Sequence, residues 1–383
     1  MSLRRPTRAG GSATMAASAG PQLHPDPIHL AMGEPAEGLP PVLEEAARRA
    51  LAEGATRYGP PAGHADLREA LAASQTGRDG LARAAENVIV TAGAKPALID
   101  AMRVLLEPGD EVLVLSPHWP TYCDQARAAG AVPVTVPPGP GQLPDAAAVE
   151  AAVGPRTRAL VVNSPNNPTG RVLSREVLAS LADVARRHSL WVLADQAYVD
   201  LTYGEPAPTW LTVAPDLAEQ SVVVETFSKR FSMTGLRLGA AIAPADVVAA
   251  LTDLASTATT HPNSVAQRVG FAALSEASGW LEEQRARYRR RHLLALEALD
   301  ALPGVTVSPA DAALFLLPNV EGAIANLGLD SDAELAKLLA ERAGVLVVPG
   351  SAMGAPGHLR VSLGATDARL QEAFARCADA LAT

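Results

Sequence analysis

The chain has 383 residues, 48% hydrophobic, 4% aromatic and 19% charged, with a formal net charge of -9. That composition allows roughly two domains on a core of Ala, Val and Leu, and it excludes wholesale disorder. An acidic chain without a basic block is a poor partner for nucleic acid or an anionic membrane surface, and no apolar run is long enough to span a bilayer. The two cysteines, Cys123 and Cys377, form no CxxC pair, which excludes a disulfide scaffold or thiolate metal site and suits a reducing cytoplasm.

Residues 1–27 are rich in Gly, Ala, Ser and Pro and read as a mobile leader without the apolar segment of a signal peptide; Met15 offers an alternative start. Residues 28–55 read as an N-terminal segment that joins a smaller C-terminal domain. Within it, PPVLEEAARRALAEG predicts a helix with prolines at its start and Gly54 at its end. Residues 56–260 form the expected large domain. A helix near HADLREALAAS is followed by the apolar runs NVIVTAG, DEVLVLSP, AVPVTVP, RALVVNSP, LWVLADQ, SVVVETFS and LRLGAAIA, which alternate with helical stretches. Continuous β-branched runs, rather than strict alternation, predict strands buried on both faces, so a mainly parallel sheet of the α/β class. Residues 261–383 change character. One long helical region is expected from about Pro262 towards Leu302, then short strands near GVTVSP, ALFLLP, VLVVPG and HLRVSLG mixed with helices, a smaller α+β domain.

In open parallel sheets ligands bind outside the carboxyl ends of the strands, so the residues there are the candidates. After NVIV comes Thr91-Ala92-Gly93-Ala94-Lys95, a small-residue turn into a helix whose free N–H groups suit a phosphate, though an ordinary strand-to-helix turn reads the same way. After DEVLVLSP comes His118-Trp119-Pro120-Thr121-Tyr122, where Trp119 suits stacking on a flat ring or plain packing. After RALVV, the Asn163–Gly170 stretch has two prolines and a glycine that hold Asn167 in a defined direction. After LWVLA comes Asp195, a cofactor ligand or a helix cap, with Tyr198 three residues on. After SVVVE come Thr226, Ser228 and Lys229, and the next strand is expected to open with Thr234-Gly235-Leu236-Arg237. Only Lys95, Lys229 and Lys337 are lysines among 32 basic residues, and Lys229 is the one placed to form a Schiff base with an aldehyde. An anion cradle, an aromatic, an amide, a carboxylate, a phenol, an amine and an arginine together match the needs of pyridoxal phosphate.

The strings YGPPAGHADLR, TAGAKPAL, PHWPTY, NSPNNPTG, ADQAY and SKRFSMTGLRLG occur in collinear order. In this the chain resembles the class I/II pyridoxal-phosphate aminotransferases from about Ile28 to its C-terminus. The resemblance implies fold type I: a mainly parallel seven-stranded sheet flanked by helices, a smaller mobile domain, and a homodimer. It implies that Lys229 holds pyridoxal 5'-phosphate as an aldimine and then moves the α-proton, with Asp195 beneath the pyridine nitrogen. Tyr198 and Asn167 would bond the phenolic oxygen, and Trp119 would stack on the ring. The phosphate would lie on Gly93, Ala94, Lys95, Thr226, Ser228 and Arg237, and Tyr58 would reach the phosphate of the neighbouring subunit. Arg360, a surface arginine on its own sequence, would take the substrate α-carboxylate, with Gly33 allowing close approach. The implied reaction is a ping-pong transfer from an L-amino acid to a 2-oxo acid in the cytoplasm, without metal. The alternative is another amino-acid reaction on the same scaffold, by a lyase, cyclase, decarboxylase or oxidase.

The chain departs from the common pattern at three places. Glu34-Pro35-Ala36-Glu37-Gly38 follows Gly33 where Asp-Phe is usual after the proline. His261 replaces a small polar residue in TTHPNSVAQ. Ala312-Ala313-Leu314-Phe315 replaces Gly-Ala-Phe-Tyr, and Met353 stands where Phe is frequent. All are expected around the side-chain pocket, so they leave the cofactor site intact and the substrate open.

Overall fold

The computed structural model describes residues 24–382. Met15 and most of the expected leader lie outside the described residues. The chain opens with β1 (Ile28–His29) and helices α1 (Pro41–Ala52) and α2 (Ala65–Asp79). The seven apolar runs then form one sheet: β2 (Val88–Thr91), β3 (Glu111–Leu115), β4 (Val132–Val136), β5 (Thr157–Asn163), β6 (Trp191–Asp195), β7 (Ser221–Thr226) and β8 (Gly239–Ile242). Its order is β2-β8-β7-β6-β5-β3-β4, with β8 antiparallel to both neighbours and the pairs from β7 to β4 parallel.

Every residue of β7 is buried, because helices cover both faces. Val223 joins Leu71 of α2 and Leu178 on one face, while Val222 and Val224 join Leu98, Met102 and Leu251 on the other. The period-two alternation of a strand thus feeds two separate cores. The covering helices are α3 (Ala94–Leu105), α4 (Thr121–Ala128), α5 (Ala146–Ala152), α6 (Arg175–Arg187), α7 (Trp210–Val213), α8 (Ala245–Ala258) and α9 (Ser264–Glu276).

A third core gathers around α10 (Ser278–Asp300), α11 (Glu321–Asn326), α12 (Asp332–Leu338) and α13 (Asp367–Leu381). Here β9 (Phe315–Leu316), β12 (Leu359–Ser362) and β11 (Val348–Pro349) make a small antiparallel sheet, and β10 (Val345–Leu346) pairs in parallel with β1. Ile28 and Leu30 are buried in this core.

Three expectations need correction. The expected single long helix breaks at Ala277, between α9 and α10. The GVTVSP run forms only an isolated bridge, Thr306 to Asn319. Residues 28–55 do not act as one segment: β1 belongs to the C-terminal core, whereas Leu43 and Ala46 of α1 pack with Ala266 and Val269 of α9 in the core of the large sheet. The apolar stripe of α1 decides this, since it has to be covered and α9 is the surface that covers it.

Candidate active site

The carboxyl ends of β2, β3, β5, β6 and β7 share one edge of the sheet, and antiparallel β8 begins at that edge. At the end of β2 the chain turns through Gly93, φ +95°, into α3. Glycine suits this position twice over: the backbone is left-handed, and a Cβ would stand 2.8 Å from Arg237 Nη2. Arg237 does not lie in a strand as expected. It follows a short 3-10 turn, Thr234–Leu236, at φ +53°, two residues before β8. Its guanidinium donates to the Thr234 carbonyl at 2.7 Å and to the Ala92 carbonyl at 3.4 Å. Thr226 Oγ1 donates to Ser228 Oγ at 3.0 Å. Helix-start N–H groups, two hydroxyls and a guanidinium thus converge as an anion cradle.

Deeper in the edge, Asp195 at the end of β6 is buried, and burial pushes its carboxyl above the ordinary range. The Tyr122 hydroxyl donates to Asp195 Oδ2 at 2.6 Å, and the Ala197 N–H donates to Oδ1 at 3.0 Å; both oppose that shift. Asn163 links this strand to the next loop, donating to the Asp195 carbonyl at 3.0 Å and accepting the Asn167 N–H at 2.8 Å. The loop is stiffened again where Asn166 Oδ1 accepts the Thr169 hydroxyl at 2.8 Å. Asn167 is thereby held facing the buried Tyr198 phenol, which burial pushes up while Arg360 and Asn167 favour its ionised form. Trp119 meets Tyr122 edge-on at 5.5 Å, and Lys95 Nζ lies 5.1 Å from the Trp119 ring centre.

Lys229 donates from Nζ to the Gly33 carbonyl. Burial, and then Arg360, Arg237 and Lys95, bring its amine down to about 8, against the opposing pull of Glu34. Arg360 on β12 is 1% exposed, which excludes the surface reading. Its Nη1 donates to Asn167 Oδ1 at 3.0 Å and its Nη2 to the Ala31 carbonyl, while Nε is buried without a partner. The guanidinium also lies 4.5 Å from the Phe315 ring centre. Gly33 is required by that ring, since a Cβ there would stand 2.6 Å from Phe315 Cζ.

These groups border one cavity of about 400 Å³. Gly93 sits beneath it as the cap of α3. Tyr58 is not brought into it: 89% exposed, it packs edge-on against His261 at 5.8 Å, and neither lines the cavity. Two departures placed near the pocket lie elsewhere. Leu314 is fully buried in the C-terminal core, and Met353 packs with Ala31 and Val348. Glu37 is paired with Arg291 at 2.5 Å and Arg287 at 3.5 Å. Among the lining residues without an assigned role in the sequence are Tyr122 and Thr234, while Glu34 and Phe315 stood only among the departures expected around the pocket. Tyr122 carried a signal, because it stands one helical turn after Trp119 at the start of α4.

The donor set fits pyridoxal phosphate. Cradle, carboxylate, phenol and amine border one space, and the orphaned Arg360 Nε leaves that guanidinium a donor to spare. Among the described residues no cluster of three His, Cys, Asp or Glu stands ready for a metal ion, and no helix is long and apolar enough to cross a membrane.

Comparison with known proteins agrees with this geometry. Residues 25–376 match the family model described as aminotransferase class I and II. The aspartate/prephenate aminotransferase of Thermus thermophilus is 42% identical over 361 residues, covering 93% of this chain and 91% of that protein. The aspartate aminotransferase of Geobacillus stearothermophilus is 36% identical, covering 92% and 90%. Among solved structures, aspartate aminotransferase from Thermus thermophilus with maleate superposes with a TM-score of 0.92 at 39% identity, covering 99% of this chain and 100% of that one. The chain belongs to the class I and II aminotransferases and is a pyridoxal-phosphate-dependent transferase of amino groups.

Proposed function

We propose that this aminotransferase works on amino-acid and 2-oxo-acid pairs in which at least one partner carries a second carboxylate. The observation that carries the reading is a surplus cation. Lys95, Lys229, Arg237 and Arg360 all border the cavity, and the cofactor and the α-carboxylate account for three of them. Lys95, held over Trp119, is left for a distal carboxylate; burial and Arg237 lower its amine's proton affinity, so a carboxylate would be a welcome neighbour. The relatives named for aspartate and prephenate, and the relative solved with maleate, support the same class, since all three small molecules are dicarboxylates.

Pyridoxal phosphate supplies an aldehyde that condenses with amines and a ring that takes up electron density from Cα. The roles assigned to this chain's residues follow from where they stand. Lys229 Nζ would hold the aldehyde and would take the proton from Cα; with an amine near 8 it is partly neutral at physiological pH. Asp195 would meet the ring nitrogen, whose positive charge when protonated would offset the cost of burying the carboxylate, and Tyr122 fixes the carboxylate's direction. Asn167 and Tyr198 would hold the phenolic oxygen and Trp119 would cover the ring. The turn at Gly93, the backbone N–H groups of Ala94 and Lys95, the Thr226 and Ser228 hydroxyls and Arg237 would hold the phosphate, which leaves the Lys95 ammonium free of it. Arg360 presents its planar fork to the α-carboxylate.

Two wider features belong to the same reading. The exposure of Tyr58 supports a homodimer in which it reaches the partner's phosphate. Two working lobes, one on the large sheet and one on the C-terminal core with β1, would close over the cavity between them. Buried, unpaired Cys123 and Cys377 support a reducing cytoplasm.

Titrating the purified protein with single amino acids, without any oxo acid, tests the proposal. Aspartate or glutamate should discharge the cofactor absorbance with one equivalent of oxo acid released, and alanine should do so poorly. Lys95→Met should lower kcat/KM for aspartate about tenfold or more relative to alanine, the loss of one charged hydrogen bond. Equal losses for both substrates would remove Lys95 from the role. Release of ammonia or carbon dioxide would point to a different reaction.

A further inference from the structure

Behind the cavity, on the α2 side of the sheet, two carboxylates and two guanidiniums form a closed ring in which Asp200, Glu225 and Arg230 are buried and Arg78 is half-buried. Arg78 of α2 donates to both oxygens of Asp200, at 2.7 and 2.9 Å, and its Nε stands 3.4 Å from Glu225 Oε1. Arg230 Nη1 donates to Asp200 Oδ2 at 2.6 Å, and Nη2 donates to Glu225 Oε2 at 3.3 Å. The Arg230 guanidinium also lies over the rings of Phe227 and Phe231, at 4.8 and 5.2 Å. Arg285 adds a bond from Nε to the Asp200 carbonyl at 2.6 Å.

Three buried charges and a half-buried one are an expensive way to fill space, because apolar side chains of similar volume often give equal or greater stability. What an ion ring offers instead is a fixed distance between the segments that carry it. Arg230 directly follows Lys229, Asp200 comes two residues after Tyr198, and Glu225 precedes Thr226 on β7. Successive strand residues point to opposite faces, so Glu225 reaches the ring while Thr226 reaches the cavity. The turn after β7 has its own closing bonds, Phe231 N to the Phe227 carbonyl at 3.2 Å and Met233 N to the Ser228 carbonyl at 3.1 Å. Those bonds shape the turn, but they do not tie it to the Tyr198 segment. Arg230 does, with one planar fork across two carboxylates.

We infer that Arg230 is a positioning residue for the known reaction: by bridging Asp200 and Glu225 it fixes the Lys229 amine relative to the Tyr198 phenol and the Thr226 hydroxyl. The inference rests on the assignment of Lys229 as the cofactor lysine. Arg78 shares the ring but stands on α2, which carries no group of the cavity, so it separates positioning from stability.

The test compares Arg230→Met, Arg230→Lys and Arg78→Met with the wild-type chain by three readouts: thermal midpoint of the apoprotein, Kd for pyridoxal phosphate, and visible circular dichroism of the bound cofactor. In Arg230→Met the Kd should rise about tenfold or more and the visible dichroism should change. Arg230→Lys keeps the charge but loses the fork, so it should shift both readouts the same way by a smaller amount. Arg78→Met should lower the thermal midpoint while Kd stays within about twofold and the dichroism is retained. Equal thermal losses in Arg230→Met and Arg78→Met, with Kd and dichroism at wild-type values, would overturn the inference. If Arg230→Met does not fold, wild-type Kd and dichroism in Arg230→Lys overturn it instead. If borohydride reduction of the wild-type chain with cofactor fails to label Lys229, the assignment beneath the inference fails, and the inference with it.

Discussion

The sheet edge and the strap of residues 31–37 face each other across one cavity, yet different things hold them in place. On the edge, each group stands at the end of its own strand: Asp195 on β6, Thr226 on β7, Gly93 after β2. The strap has no regular structure and is held by residues distant in sequence. Its Ala31 carbonyl accepts from Arg360, its Gly33 carbonyl from Lys229, and Glu34 Oε1 accepts the Thr234 hydroxyl at 2.6 Å. Ala36 N–H donates to the Gly364 carbonyl at 2.7 Å, and Glu37 is bound by Arg291. The edge is therefore set by the strands themselves, whereas the strap is placed by distant partners, among them two of the site's own cations, Arg360 and Lys229. Substitutions on the edge should strike the chemistry, and substitutions around the strap should strike affinity and proton balance.

The largest expected effect tests the edge. Lys229→Ala removes the amine proposed to condense with the cofactor and move the proton, so turnover should fall by about 10⁴-fold or more while far-UV circular dichroism stays native. Transamination at a comparable rate would end the assignment. Next comes Arg360→Ala, which touches both regions because one guanidinium, proposed to take the α-carboxylate, also serves Asn167 and the Ala31 carbonyl. KM for α-amino acids should rise about 10- to 100-fold, with a smaller change in kcat. Arg360→Lys should recover little, since a point charge cannot reproduce the fork. A fall in kcat with KM unchanged would place the α-carboxylate elsewhere. Tyr122→Phe is milder: it deletes one hydroxyl beneath Asp195, so Kd for the cofactor should rise about fivefold, measured by titrating the apoprotein. An unchanged Kd would mean that the Ala197 N–H alone orients the carboxylate.

The same contrast explains what could be read in the sequence. Continuous runs such as SVVVETFS give a strand, and a strand end gives a place, so Thr226, Ser228 and Lys229 were legible one after another. Arg237 was found although its local structure was misread, because an antiparallel β8 brings its first residues to the same edge as the carboxyl ends of the others. Residues placed by distant partners were harder. Nothing near Arg360 announces that it is buried; the site assignment came from the resemblance to the family. Leu314 and Phe315 were both expected at the pocket, but only Phe315 lies there, edge-on to Tyr198 at 5.6 Å, while Leu314 turns into the core. Ala313 takes a left-handed conformation, φ +67°, just before this point, and local pattern gives no sign of that turn. Glu34 and Thr234 are 200 residues apart and meet only when the strap lies down.

That pair gives the smallest and sharpest prediction. Burial, with Arg360, Arg237 and Lys95 around it, brings the Lys229 amine down from the ordinary 10.5 to about 8, while Glu34 pulls the other way. Cofactor capture needs the neutral amine, so its rate in the apoprotein should climb as pH rises through about 8 and then level off. The folded chain holds this proton less tightly than the unfolded chain does. The destabilisation from the buried ammonium is therefore full below about 8 and is relieved as pH rises towards 10.5. Glu34→Gln keeps an oxygen for the Thr234 hydroxyl but removes the only negative charge among these influences on the amine. The midpoint of cofactor capture should then move below 8, with the fold and the strap unchanged. A midpoint that stays in place would mean that Glu34 is a mechanical anchor alone, and that the strap has no part in setting the proton affinity of the lysine it covers.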